Sequence, residues 1–346
     1  MGMQWTPWFN VPCHCRLEVL SLTFFFLCVI LLGPLSVILI IYLLIAGNIF
    51  WKIICVSYLV FFVFDFKSGD RGGRGAGSSW VRSWSVWKHI VNYFPIDLVK
   101  TVDLPPDRNY LICIFPHGML SFGAAGNFCT SHSKFSTLFP GLRPKLTTLN
   151  VPNFVFPIAR ELGLAVGNCA ASPTALTNLL TQSTDPNHKS NRDGYKSNAI
   201  GLIVGGVREQ RLIFPNTYRL YLKNRKGFVK IALKTGAPLV PALSFGENDY
   251  YNMPFSPDVE NPSVWQQLSG ICGGRGYLQY NFGMLPRRQP ITTVIGAPIE
   301  VEQVLQPNQD QIDNVHKVFC TRLEELFEEH KSKYVENFDN VHLEFV

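Results

Sequence analysis

Between Glu18 and Lys52 the chain has no Asp, Glu, Lys or Arg, and charged residues make up only 16% of its 346 positions. A soluble domain carries about 25%, so an enzyme exposed to water on every side is excluded. The nine cysteines include no Cys-x-x-Cys pair, which removes the usual zinc frameworks. Cys13, His14 and Cys15 lie too close together in the chain for tetrahedral ligation. An odd, scattered set of thiols is expected to stay reduced and mostly buried. No Asn-x-Ser/Thr acceptor occurs, which is compatible with a cytosolic body. No internal repeat and no nucleic-acid module is present.

What is there begins with the uncharged run itself. Val19 to Trp51 is too long for one untilted crossing of about 20 residues and short for two. A second apolar run, Ile53 to Phe64, follows directly. Gly33 and Pro34 interrupt the first run, where proline bends or breaks a helix. Two readings compete: two tilted spans hinged near Gly33 and Pro34, or one hairpin that dips and returns, followed by an interfacial piece. The run is too long for a signal-peptide core, and no clean cleavage site follows it. Arg16 before it and Lys67, Arg71, Arg74, Arg82 and Lys88 after it predict both ends in the cytosol. The net charge of +6 suits contact with anionic lipid or an anionic cosubstrate.

The expected organisation is a cytosolic lead over 1–16, a membrane hairpin over 17–66, a collar and interfacial segment over 67–108, and an α/β domain over 109–346. The collar is glycine-rich and basic, and Trp80, Trp84 and Trp87 suit either headgroup contact or packing. Tyr110–Phe115, Ala199–Val204, Pro238–Phe245 and Ile291–Ile295 read as buried strands, with Pro241 placing its strand at an edge or a bulge. Helices are expected over Ala171–Thr181, over Lys226–Thr235 before Gly236, and from a capping box at Asn308 and Gln311 to Lys331. This alternation predicts an α/β fold, a largely parallel or mixed sheet flanked by helices.

His117 follows the first of these strands and precedes Gly118, so it is expected at the carboxyl end of the sheet, where α/β folds bind ligands. A helix starting at Leu120 would hold its imidazole neutral, as a general base requires. Arg225, Lys226 and Lys230, with Arg208, Arg211 and Lys223 nearby, are candidates for phosphate binding; Arg275 is another.

The stretches Trp87–Thr101, Asn109–Thr130 around Pro-His-Gly, Gly201–Glu209, Arg225–Asp249, Pro290–Glu302 and Leu326–Lys331 resemble, in order, the family of type-two diacylglycerol and monoacylglycerol acyltransferases. Residues 225–249, Gly273–Tyr280, 290–302 and the His342–Phe345 ending lean toward its monoacylglycerol members. The resemblance implies a glycerolipid-acyltransferase-like fold and acyl transfer from acyl-CoA to a monoacylglycerol or diacylglycerol. It implies acyl-CoA as cosubstrate without metal or prosthetic group, and partners confined to membrane lipid, acyl-CoA and acceptor. It also implies the endoplasmic reticulum membrane, with lipid droplets a second location; a homo-oligomer stays open.

The family's usual motif is His-Pro-His-Gly, and Phe115 stands here at its first position, leaving His117 as the base. Phe115 is then expected to line an acyl pocket. Related phospholipid acyltransferases place an aspartate five residues after their histidine; that position is Phe122, so the acid must come from elsewhere. Glu209 is the first candidate to accept the imidazole N–H, and Glu247 the second. Gly118, Gly205 and Gly206 are expected to offer backbone donors to the oxyanion. A long-chain alcohol as acceptor, or a non-catalytic membrane or lipid-droplet protein with this fold, are the alternatives; the retained Gly118, Gly205, Gly206, Glu209 and Glu247 argue against the latter.

Overall fold

The computed structural model describes residues 13–150, 154–185, 187–191, 193–250 and 285–346. Most of the expected lead, the Gly273–Tyr280 stretch and Arg275 lie outside the described residues.

The chain starts with α1 (Cys13–Leu27), a five-residue π turn over Cys28–Leu32, and α2 (Gly33–Ala46). These run on as one apolar helix, Cys15–Ala46, and α3 (Ile49–Asp65) begins a second, Ile49–Ser68. The hairpin does not turn at Gly33 and Pro34: the helix runs on through both, Gly33 with φ −61. A proline lacks a donor and crowds the carbonyl one turn back, and the wider π turn just before it accommodates both. The chain reverses instead at Gly47 and Asn48. Gly47 leaves the helix with ψ 153, and the Asn48 side chain accepts the Trp51 N–H at 3.3 Å to start α3. The hairpin exists, with its hinge one helix further on.

The hairpin has a docked inner end and a bare outer part. Val19, Leu22 and Phe26 are buried against Ile90, Tyr93, Phe94, Met119 and Phe122. Beyond them Ile38, Ile45 and Ile49 are 61%, 74% and 73% exposed, apolar surface that suits lipid rather than water. Its base is clamped by charge. Buried Arg160 reaches Asp65 at 2.7 Å, Glu161 at 2.6 Å and the Ser68 hydroxyl at 2.8 Å, and Arg74 binds both carboxylates at 2.6 Å. Removing one partner of a buried pair costs about 3–5 kcal/mol. Arg160→Ala is therefore expected to lower the unfolding temperature in detergent by roughly 6–20 °C, at about 2–4 °C per kcal/mol; an unchanged melting curve would show that the clamp adds nothing.

The domain behind the hairpin holds β1 (Ile96–Lys100), β2 (Tyr110–Phe115), β3 (Leu142–Thr148), β4 (Asn168–Ala170), β5 (Ser197–Ile203), β7 (Leu239–Phe245) and β8 (Ile291–Ile295) in one sheet, in the order β1-β8-β7-β2-β5-β3-β4. All neighbours are parallel except β7 and β8. The mixed sheet flanked by helices is thus as expected. It begins before Asn109, because β1 is part of it. A separate ribbon pairs β6 (Tyr218–Leu220) with β9 (Leu343–Phe345).

Pro241 is not on an edge strand: β7 lies between β8 and β2. On the β8 side the pairing slips by one residue between the Ala242–Ile295 pair and the Leu239–Ile299 bridge, and the Pro241 carbonyl accepts the Gly296 N–H at 2.8 Å, so the proline sits at an irregularity of the ladder, the second of the two places expected for it. Helix Gly227–Thr235 ends at left-handed Gly236, φ 69. Helix Gln309–Tyr334 starts from a complete capping box, Asn308 with Gln311. It then lays Phe319, Leu323 and Phe327 on the sheet face formed by Cys113, Phe115 and Leu243. Trp80 is 70% exposed beside Trp84, while the Trp87 indole donates to the Val81 carbonyl at 2.7 Å.

Candidate active site

Every residue of β2 is buried, so the strand is fixed along its length. Past Phe115 the chain passes through a cis bond to Pro116 and reaches His117 and Gly118. The flanking parallel strands β5 and β7 end beside it, and the turns that follow all three converge. β2 is also where the chain reverses its direction of travel across the sheet, from β3, β4 and β5 on one side to β7 on the other. Such a switch point opens a crevice at the strands' carboxyl ends.

His117 is half-buried at that crevice. Its Nδ1 lies 2.8 Å from the Gly118 carbonyl oxygen, and the Ser121 hydroxyl, 3.4 Å from Nδ1, donates to the His117 carbonyl at 2.6 Å. A carbonyl only accepts, so Nδ1 carries the proton and Nε2 keeps its lone pair. Burial draws the imidazole below its ordinary range, and the bond to Gly118 opposes this. Burial thus favours the neutral ring.

The carboxylates do not take the parts expected of them. Glu209 accepts from the His117 backbone N–H at 2.6 Å and from the Tyr221 N–H at 2.8 Å; neither bond involves the imidazole. The turn after β5 brings it up beneath the strand end, so it meets the main chain of His117 rather than the ring. Glu247 accepts the Gly123 N–H at 2.8 Å, capping the helix Phe122–Cys129. That helix starts at Phe122 instead of Leu120, after Ser121 in a left-handed conformation, φ 52. Its positive end is therefore turned to Glu247 and not to the histidine. Burial pushes both carboxyls up to about 7, against the hydrogen bonds they accept. Both grip the backbone of the 117–123 turn.

Sequence reasoning missed the brace between them. The Tyr250 hydroxyl donates to Glu247 at 3.0 Å and accepts from the N–H groups of Met119 and Leu120 at 3.2 Å each. Gln210 adds a bond from its amide to the Met119 carbonyl at 2.7 Å. The signal available was Glu247 and Tyr250 three residues apart after a strand, a spacing that lets one turn present both. Gly118 is required between them. Its φ is +57, and a Cβ there would lie 2.5 Å from Glu247 Cγ and 2.9 Å from the Tyr250 hydroxyl.

Gly205 and Gly206 lead into the short turn Gly206–Glu209, beside the Glu209 carboxylate. Arg225 approaches them, donating to the Gly205 carbonyl at 3.3 Å and stacking 5.2 Å over the Tyr221 ring, which Arg208 also faces. Lys226 is drawn away to Asp313 on the C-terminal helix at 2.7 Å. Phe115 does not line a pocket: it is fully buried in the core, 6.2 Å from the Phe319 ring. Strand alternation turns it beneath the C-terminal helix, away from the crevice.

The chain matches the family model described as diacylglycerol acyltransferase over residues 42–345. It is 36% identical to human 2-acylglycerol O-acyltransferase 1 over 96% of this chain and 97% of that protein. It is 39% identical to human diacylglycerol O-acyltransferase 2-like protein 6 over 88% and 89%. Human acyl-CoA wax alcohol acyltransferase 1 is 40% identical over 81% and 83%. With most of its length inside the family model and full-length relatives at these identities, the chain belongs to the diacylglycerol acyltransferase family and is an acyltransferase.

Proposed function

We propose that the chain transfers a fatty acyl group from acyl-CoA to a hydroxyl of 2-monoacylglycerol or diacylglycerol, with His117 as general base. The observation that carries this reading is the fixed tautomer of His117 at the carboxyl end of the central strand. Nε2 removes the proton from the acceptor hydroxyl as its oxygen attacks the thioester carbonyl. The tetrahedral oxyanion is met by backbone N–H groups of Gly118, Gly205 or Gly206; those of His117, Met119 and Leu120 are already committed to Glu209 and Tyr250. The C–S bond then breaks, the thiolate takes the proton back from the imidazolium, and ester and free CoA leave. The thioester is already activated, so the reaction as written calls for no metal or prosthetic group. Arg225, with Arg208 across Tyr221, is the cation set best placed to meet the phosphates of CoA.

The exposed apolar hairpin supports residence in a membrane. We place the chain in the endoplasmic reticulum with its domain on the cytosolic side, and lipid droplets as a second location. The match to a wax alcohol acyltransferase favours a long-chain alcohol as the second acceptor class. Membranes from cells lacking other neutral-lipid acyltransferases, given labelled oleoyl-CoA, decide between acceptors offered in parallel: monoacylglycerol, diacylglycerol, hexadecanol and lysophosphatidate. Labelled di- or triacylglycerol is expected. Wax ester alone would move the assignment to the alcohol, and no product from any acceptor would end the enzymatic reading.

A further inference from the structure

Away from His117, a cavity of about 180 Å³ lies between β3, the helix Pro173–Leu180 and the glycine collar that follows the hairpin. Arg71, Gly73, Arg143, Lys145, Asn178 and Gln182 line it. Strand register sets it well apart from the histidine. Lys145 pairs with Ile200, and Ile200 with Leu111, six residues short of His117, about 20 Å along the strands at 3.3 Å per residue.

The charges around this cavity are unbalanced. Arg143 is spent on Asp193, through bonds of 2.8 and 2.6 Å, and on Asn198 at 2.7 Å. Lys145 is only 1% exposed, yet among the described residues its ammonium has a single hydrogen-bond partner, the Gly72 carbonyl at 3.0 Å, and no carboxylate within ion-pair reach. A buried ammonium has three donors to satisfy, and buried charges are ordinarily paired. Burial accordingly lowers its pKa to about 8, a strain that a bound anion would relieve. Arg71, exposed at the rim, brings a second positive charge. The Gln182 carbonyl oxygen is occupied by Asn198 at 2.7 Å, which leaves its amide nitrogen as a further donor.

The backbone is shaped around this ammonium. Gly72 and Gly73 take φ +103 and +78, and a Cβ on Gly73 would come within 2.6 Å of the Asn168 carbonyl and 3.3 Å of Lys145 Nζ. Only glycine lets the collar close this tightly over the lysine. The volume is below the roughly 300–1,000 Å³ of pockets that take whole drug-sized ligands, so it fits a tetrahedral oxyanion and excludes a nucleoside or an acyl chain. The collar also follows directly on Ser68, the last residue of the second apolar span, which puts the cavity at headgroup depth.

We propose that this cavity is a phosphate-binding site, with Lys145 and Arg71 as its cations, and that it takes the phosphate monoester of an anionic lipid headgroup at the membrane surface. The site is separate from the acyl-transfer centre, and the proposal does not depend on the acceptor assigned above.

The test is thermal unfolding of the full chain in neutral detergent, titrated with inorganic phosphate, phosphatidic acid, CoA and 3′-dephospho-CoA, with chloride at equal ionic strength as control. A saturable rise in unfolding temperature is expected with phosphate and, at lower concentration, with phosphatidic acid. Lys145→Met and Arg71→Gln should each raise the half-saturating concentration at least tenfold. Arg71 is exposed, so its variant keeps the test decisive if Lys145→Met does not fold. A response to CoA that is absent with 3′-dephospho-CoA, with none to phosphatidic acid, would overturn the lipid assignment in favour of the nucleotide phosphate. An equal rise with chloride, or wild-type response in Arg71→Gln, would overturn the site.

Discussion

His117→Ala is expected to reduce acyl transfer by about 10²–10⁴-fold or more, the usual contribution of a positioned general base, while the protein stays in the membrane fraction. The two readouts separate because the hairpin is held by the Asp65, Arg74, Arg160 and Glu161 clamp and by packing on Met119 and Phe122, none of which the substitution removes. The pH profile of the wild type carries the same information. An imidazole must be neutral to accept a proton, so activity falls as pH drops through its pKa. Burial lowers that pKa, which puts the acid limb below the ordinary histidine value of about 6.5. Initial rates with monoacylglycerol between pH 5 and 8 check both points. Retained turnover in His117→Ala, or an acid limb above 6.5, would remove His117 from the mechanism.

Gly118→Ala is expected to damage stability and activity together. A left-handed φ costs an L-residue about 1–2 kcal/mol. Forcing a methyl into a filled site costs about 1–3 kcal/mol more. Here the methyl meets Glu247 Cγ and the Glu247 carbonyl, at 2.5 and 2.8 Å, and the latter is main chain that has little room to move. The sum, about 2–5 kcal/mol, corresponds to an unfolding temperature lower by roughly 4–20 °C. Activity should fall further than stability explains, because the Nδ1 acceptor is the carbonyl of this same residue, and a displacement of about 1 Å at a reacting group can cost 10²-fold. Gly227→Ala is the control: its Cβ meets nothing within 4 Å, so its melting curve and turnover should match wild type.

The parts of this fold legible in the sequence are those fixed by neighbours along the chain. Tyr110–Phe115 and Ile291–Ile295 are bounded apolar runs, and Asn308 with Gln311 closes a cap within one turn. β1 escaped notice because Ile96–Lys100 alternates charge with apolar residues and has one fully buried position, Leu98. Nothing local records that β8 runs against β7. Pro34 read as a break because sequence shows the missing donor, whereas the π turn that absorbs it is a property of the preceding carbonyls. At the site, the placement of His117 just past β2 was readable from its strand and its glycine. The roles of Glu209 and Glu247 were not. Both acids sit at strand ends, as expected, but whether a carboxylate meets a ring or a main-chain N–H depends on ångström-scale placement across three strands.

The long first helix has a consequence for where the chemistry happens. At 1.5 Å per residue its 32 residues extend about 48 Å, more than a hydrocarbon layer of about 30 Å, and the stretch around Val19, Leu22 and Phe26 is packed on the domain instead. A free helix of that length would tilt to bring itself into register with the lipid. This one has its inner end pinned beside Phe122, so its inclination relative to the domain is set by packing. His117, in the turn that leads to Phe122, is therefore expected to move with this helix as one body when the helix tilts in a membrane.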